Sequence, residues 1–296
     1  MMPGLSSSYT GRFAPSPSGP LHFGSLIAAT GSYLQARSQQ GKWLLRIEDI
    51  DTPRMQPGAA DDIMRTLEQF HLHWDGEVWY QSRRLERYQQ IFQMLQQQQQ
   101  AYGCQCSRKQ IAENGGIYTG HCSRLNLQRG KLAWRLRCPP TASTFTDLVF
   151  GQQQISPQMA NEDYILRRSD GLFAYQLVVV IDDLDQQVTE VIRGADLLET
   201  TPRQQALFRL LQGTPPGYGH LPLAVTRPGF KLSKQNHAAA ISSKNAGPTL
   251  CQVLAFLGHP PPASLQQAPP AELLAWAIRH WDLAKVPGQM EILQPG

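Results

Sequence analysis

Arg12-Phe13-Ala14-Pro15-Ser16-Pro17-Ser18-Gly19-Pro20-Leu21-His22-Phe23-Gly24-Ser25, followed at once by the apolar-periodic run 26–34, is the stretch that decides the fold. Residues 9–14 read as a short strand, two prolines and Gly19 force a turn, and Ser25-Leu26-Ile27-Ala28-Ala29 opens a helix. A strand that runs through a tight loop into a helix start presents unpaired backbone N–H groups to a phosphate. His22 and Gly24 stand where that helix begins. A base or phosphate can therefore approach the backbone closely beside an imidazole.

Working outward, residues 42–47 form a second strand ending at Glu48-Asp49-Ile50-Asp51, charges placed where open α/β sheets bind ligands. Helices follow over 57–70 and 83–100, the second ending in an exposed glutamine run at 96–100. From 101 to about 168 the segments become short and broken. The helix-strand rhythm resumes with an apolar strand at 172–181, a strand at 187–192, a helix at 201–211 and a strand at 221–225. Terminal helices at 248–257 and 271–281 flank a proline-rich linker. The expected architecture is α/β: a Rossmann-type parallel sheet whose halves, 1–100 and 171–245, are split by an insertion at 101–170 and followed by a short helical region at 246–296.

With 296 residues, 41% hydrophobic and 17% charged, the chain is an ordinary globular protein, and wholesale disorder is excluded. No apolar run reaches the length of a membrane span, and Met1 to Ser8 has no basic start or apolar core, so the expectation is a cytoplasmic protein with no membrane partner. The net charge of +4 permits a nucleic-acid partner without demanding one. Basic residues such as Arg108, Lys109, Arg124, Arg129 and Lys131 gather in the middle third, where a phosphate backbone can lie. Five cysteines without an export signal fit reduced thiols or a metal site rather than disulfides.

Two motifs carry the chemistry. His22 in Leu21-His22-Phe23-Gly24 and the distant Lys231-Leu232-Ser233-Lys234-Gln235, about 210 residues later, resemble the HIGH and KMSKS signatures of class I aminoacyl-tRNA synthetases of the glutamyl type. Ser25 replaces the final His of the first signature, and Leu232 and Gln235 depart from the second. Attack of a carboxylate on the α-phosphate of ATP builds negative charge on phosphorus oxygens and pyrophosphate, which fixed lysines and imidazole donors stabilise. This gives His22 and Lys234 as catalytic residues, with Gly24 and Lys231 completing the ATP site. Magnesium is expected to arrive with ATP, held mostly by phosphates. Asp49, Asp51, Asp182, Asp183 and Asp185 are accordingly read as structural.

An acidic amino acid needs a cation for its side chain, and a guanidinium fork matches a carboxylate with two hydrogen bonds. Arg12 suits that role. The resemblance implies Glu48 for the ammonium group, Tyr175 and Arg193 for the α-carboxylate, and Phe13, Ala14, Pro15 and Ser16 along the pocket floor. Cys104-Gln105-Cys106 and Tyr118-Thr119-Gly120-His121-Cys122 form a further constellation, with three thiols suited to one structural zinc ion. On chemistry His121 is the better fourth ligand, because imidazole binds zinc more often than phenolate. The resemblance points instead to Tyr118, giving Cys104, Cys106, Tyr118 and Cys122. Cys138 and Cys251 are assigned to packing.

Only 62 residues follow Lys234, too few for the anticodon-binding region of full glutamyl-tRNA synthetases. The chain thus resembles the glutamyl-Q tRNA(Asp) synthetases, a truncated branch. That resemblance implies an ATP-dependent ligase, expected to act as a monomer. On the same resemblance it is expected to activate L-glutamate without tRNA and transfer it to queuosine at the wobble position of the tRNA(Asp) anticodon stem-loop. A truncated enzyme charging the 3′ end of a tRNA shares every one of these motifs.

Overall fold

A computed structural model describes residues 8–113, 115–231, 241 and 245–294 of the chain. In order, the first half contains β1 (Thr10–Phe13), α1 (Phe23–Ser38), β2 (Lys42–Ile47), α2 (Ala59–Gln69), β3 (Trp79–Tyr80) and α3 (Leu85–Gln97). The middle holds β4 (Ala101–Cys104), α4 (Arg108–Glu113), β5 (Ala133–Leu136), β6 (Thr144–Asp147), β7 (Gly151–Gln154), α5 (Pro157–Ala160) and β8 (Ile165–Arg167). There follow α6 (Tyr175–Asp185), β9 (Glu190–Gly194), α7 (Thr201–Leu210), β10 (Gly217–Leu221), β11 (Leu223–Arg227), β12 (Phe230–Lys231), α8 (Ala246–Phe256), α9 (Pro270–His280) and β13 (Glu291–Leu293).

β1, β2 and β3 pair in parallel, as do β9 and β10. The two groups join where the Thr189 N–H donates to Thr10 O at 2.9 Å and the Thr10 N–H donates to Thr189 Oγ1 at 2.9 Å. The strand sequence across the sheet is therefore β3, β2, β1, β9, β10. The chain reverses direction of growth between β1 and β9, and the crevice beyond their carboxyl ends is where such sheets bind ligands.

One face of this sheet is covered by α1, which is buried along most of its length because α8 and α9 close over its other side. Leu26, Ile27 and Leu34 pack there with Trp43, Leu45, Leu250 and Leu273. Gly31 lets the helix approach β10 closely, since a Cβ there would lie 2.6 Å from Leu221 Cδ1. The C-terminal helices are thus part of the main core, and β13 extends the same unit by pairing in parallel with β11.

The opposite face is covered by α6, backed by α3 and α7. The sequence reading of 172–181 as a strand is corrected here: Tyr175–Asp185 is helical. Leu177 to Asp183 are all buried, because the helix is enclosed by sheet on one side and helices on the other, so no polar face interrupts the run. The expected strand at 221–225 is likewise two strands, β10 and β11, divided at Pro222.

Between the halves, β4, β5 and β8 form a small antiparallel sheet, and β6 and β7 form a hairpin against β10. The glutamine run ends α3, with Gln97, Gln98 and Gln99 exposed.

Candidate active site

His22 caps α1. Its Nδ1 accepts the Ser25 N–H at 3.2 Å, while Ser25 Oγ accepts the His22 N–H at 3.5 Å. The serine that departs from the family signature therefore completes a reciprocal capping box. With Nδ1 accepting, the neutral ring carries its proton on Nε2. His22, Gly24, Ser25 and Ala28 line one wall of a cleft of about 210 Å³, and Gly194, Asp196 and Leu221 to Ala224 line the other. The cleft lies at the helix start and beyond the ends of β9 and β10, the geometry expected for a nucleotide. Gly194 and Asp196 were not singled out from sequence, although they directly follow Arg193 at a strand end. Lys231 closes the β11–β12 hairpin opposite Val225. Lys234 lies outside the described residues.

Of the residues expected to hold the amino acid, Arg12, Glu48, Tyr175 and Arg193 lie on the α6 side of the sheet. Alternation along β1 sends Arg12 toward α6 and Phe13 to the other side, where its ring stacks on Trp43 with centroids 6.2 Å apart. Phe13 therefore has only its backbone to offer a ligand. Pro15 O accepts the Glu48 N–H at 3.0 Å, which ties the proline turn to the end of β2. Ala14 and Pro15 are half-buried and Ser16 is exposed.

Arg12 is not a lone cation. Asp183 on α6 accepts from its Nε at 3.1 Å and from Nη2 at 3.4 Å, leaving Nη1 with no protein partner among the described residues. Arg46 is fully buried and donates to the same Asp183 at 2.7 Å and to Gln186 at 2.6 Å. Asp182 takes hydrogen bonds from Gln81, Arg84 and Tyr88, and Asp185 from Arg84 and Arg87. Asp49 accepts from the Ser82 hydroxyl and Asp51 pairs with Arg168. Asp51, Asp182, Asp183 and Asp185 thus hold arginines, and Asp49 holds Ser82. Burial raises the Glu48 carboxyl to about 7, against the opposing pull of Arg46 and Arg12. Its Oε1 has no hydrogen-bond partner among the described residues. Burial also raises the Tyr175 hydroxyl, with Arg193, Glu48 and Arg12 all near enough to affect it. Arg193 on β9 is buried and donates to His220, Gln204, Thr201 and Leu197 O.

The cysteine constellation also assembles. The sulfurs of Cys104, Cys106 and Cys122 lie within 4.8 Å of one another, with Cys106 and Cys122 at 3.5 Å. That spacing fits three corners of a tetrahedron around a zinc ion with bonds of about 2.3 Å. Tyr118 is buried among them, and its hydroxyl accepts the Cys122 N–H at 2.8 Å. His121 is exposed and does not belong to the cluster. Arg135 donates to Cys104 Sγ at 3.3 Å and lies over the Tyr118 ring, positive charge suited to a thiolate-rich site. Cys138 and Cys251 pack against the two main cores.

Residues 9–247 match the family model described as tRNA synthetases class I (E and Q), catalytic domain. Strand order and capped histidine agree with it: this is the catalytic fold of a class I aminoacyl-tRNA synthetase. A glutamyl-Q tRNA(Asp) synthetase of Vibrio vulnificus is 55% identical over 287 residues, covering 97% of this chain and 94% of the relative. Another, of Photobacterium profundum, is 54% identical over 285 residues, covering 96% and 92%. A glutamate-tRNA synthetase structure from Elizabethkingia anophelis superposes with a TM-score of 0.78 at 23% identity, over 96% of this chain and 67% of that one, a likeness of fold. The chain belongs to the glutamyl-Q tRNA(Asp) synthetase family, ligases of the class I type. Among the described residues no helix is long and apolar enough to cross a membrane.

Proposed function

We propose that the protein activates L-glutamate with ATP in the absence of RNA and transfers the glutamyl group to the queuosine base in the anticodon loop of tRNA(Asp). The reading is carried by one juxtaposition: Arg12, Glu48, Tyr175 and Arg193 share the α6 face of a sheet whose switch-point crevice is the nucleotide cleft. The Arg12 guanidinium takes the substrate's side-chain carboxylate, oriented by Asp183. Glu48 takes the ammonium group, which satisfies its orphaned oxygen. Tyr175 and Arg193 hold the α-carboxylate, and backbone groups of residues 13–16 line the floor.

The α-carboxylate oxygen attacks the α-phosphorus of ATP in line, a carboxyl-phosphate anhydride bond forms and pyrophosphate leaves with the electron pair. His22, donating through Nε2, and Lys231 and Lys234 stabilise the charge that develops, and magnesium travels with the phosphates. A hydroxyl of the queuosine cyclopentenediol then attacks the activated carbonyl and AMP departs. Cys104, Cys106, Cys122 and Tyr118 would hold one zinc ion, which supplies cross-linking of the 101–124 segment and leaves no open position for catalysis.

The acceptor is tested with labelled glutamate and an isolated anticodon stem-loop carrying queuosine. Transfer to that fragment, and none to the same fragment with guanosine, is the expected result. Transfer only to the 3′ end of intact tRNA would replace this acceptor with the ordinary one.

A further inference from the structure

Arg193 is held by a chain of groups that begins in another part of the molecule. Asp147 ends β6, in the segment between the two halves of the sheet, and is buried together with His220 of β10. Its Oδ2 lies 2.6 Å from His220 Nδ1. Its Oδ1 accepts three backbone N–H groups, from Val149 at 3.0 Å, Phe150 at 2.9 Å and His220 itself at 3.2 Å. On the other side of the ring, Nε2 accepts from Arg193 Nε at 3.0 Å. An arginine Nε carries only a proton to give, so His220 Nε2 must be the acceptor and its proton must sit on Nδ1, facing the carboxylate. The four donations by Arg193 to His220, Gln204, Thr201 and Leu197 leave one N–H, on Nη1, without a protein acceptor among the described residues.

We propose that Asp147 and His220 are positioning residues for amino-acid binding: the carboxylate fixes the imidazole tautomer, and the imidazole fixes the Arg193 guanidinium so that its remaining N–H meets the substrate α-carboxylate. The inference rests on the reading of Arg193 as a glutamate ligand. Chemically the arrangement is directional. In Asp147→Asn the amide oxygen takes over the three backbone N–H groups, which turns the NH2 toward His220. The ring must then accept at Nδ1 and carry its proton on Nε2, where it confronts the Arg193 Nε–H, donor against donor. The change is nearly isosteric, so it alters hydrogen-bond polarity without opening a cavity.

The same logic makes His220→Gln the conservative variant, since its amide can donate to Asp147 and accept from Arg193. His220→Leu can do neither.

The test measures glutamate-dependent exchange between ATP and labelled pyrophosphate in the full-length parent and in the three variants, with KM determined for both substrates. In Asp147→Asn and His220→Leu the glutamate KM is expected to rise about ten- to a hundredfold, the scale of a charge-assisted hydrogen bond lost or misaligned, while the ATP KM stays put. His220→Gln should remain within about threefold of the parent. Nitrogen NMR of histidine-labelled protein, assigned through the signal missing in His220→Gln, gives a readout independent of activity. The His220 proton should be on Nδ1 in the parent and on Nε2 in Asp147→Asn. A parent His220 protonated on Nε2 overturns the relay. So does an Asp147→Asn variant that loses turnover with an unchanged glutamate KM, the behaviour of a merely structural pair. Should Asp147→Asn fail to fold, the contrast between Gln and Leu at 220 decides. A parent that shows no glutamate-dependent exchange at all removes the glutamate reading itself, whereas normal exchange with unaltered variants overturns only the relay.

Discussion

Glu48 Oε1 lies 3.7 Å from Arg46 Nη2, beyond hydrogen-bonding distance, and has no other partner among the described residues. Burial therefore outweighs the attraction of Arg46 and Arg12, and the carboxyl titrates near 7 rather than at its ordinary 4.5. A carboxyl raised in this way favours the native state while protonated. Its contribution is complete below pH 4.5 and is lost as pH rises through about 7. In the ligand-free protein, the stability difference between parent and Glu48→Gln should shift against the parent across that window, by about 3 kcal/mol at most. Denaturant unfolding at pH 5 and pH 8 checks it. The substrate ammonium group draws the ionised form back, so glutamate binding should release a proton near neutrality and the glutamate KM should fall as pH rises through 7.

Asp183 holds two buried guanidinium groups, those of Arg12 and Arg46. Asp183→Ala leaves Arg12 without its carboxylate partner and Arg46 with only the carboxylates of Asp182 and Glu48, each at 3.7 Å, and is expected to cost about 3–5 kcal/mol of stability, measured by urea unfolding. Asp183→Asn retains acceptors and shape. It should cost less while still raising the glutamate KM, because Arg12 loses the charge that orients it.

Zinc content discriminates between the two candidates for the fourth ligand. Cys104→Ser and Tyr118→Phe should lower bound zinc in purified protein, whereas His121→Ala should leave it at the parental level. Equal zinc in the Tyr118→Phe variant, with loss in His121→Ala, would reverse the assignment.

Lys234→Ala should depress the rate of adenylate formation about 100- to 1000-fold, the usual effect of deleting one preorganised donor to a developing anion, with little change in the glutamate KM. Single-turnover formation of the adenylate is the measurement.

The elements legible in the sequence were those whose signals are local. The turn between β1 and α1, the strand at 42–47 and the close-set cysteines depend on neighbours within a few residues. Arg12 and Asp183 were both singled out, but not that they pair across 171 positions. Asp147 and His220 gave no signal, since a lone acid before Leu-Val-Phe and a lone histidine before Leu-Pro acquire meaning only when β6 meets β10. The helical state of α6 escaped because Val178 to Ile181 are β-branched and buried all round, which removes the periodicity that separates a helix from a strand. Strand alternation turns the Phe13 side chain away from Arg12 and onto Trp43, which composition cannot reveal.

The central claim is that one cleft joins ATP to an acidic amino acid chosen by Arg12. Exchange of labelled pyrophosphate into ATP, measured without RNA, tests it most directly. The account predicts exchange that requires glutamate, is not supported by glutamine, and is lost at ordinary glutamate concentrations in Arg12→Ala. No exchange with glutamate, whether or not RNA is added, would contradict it.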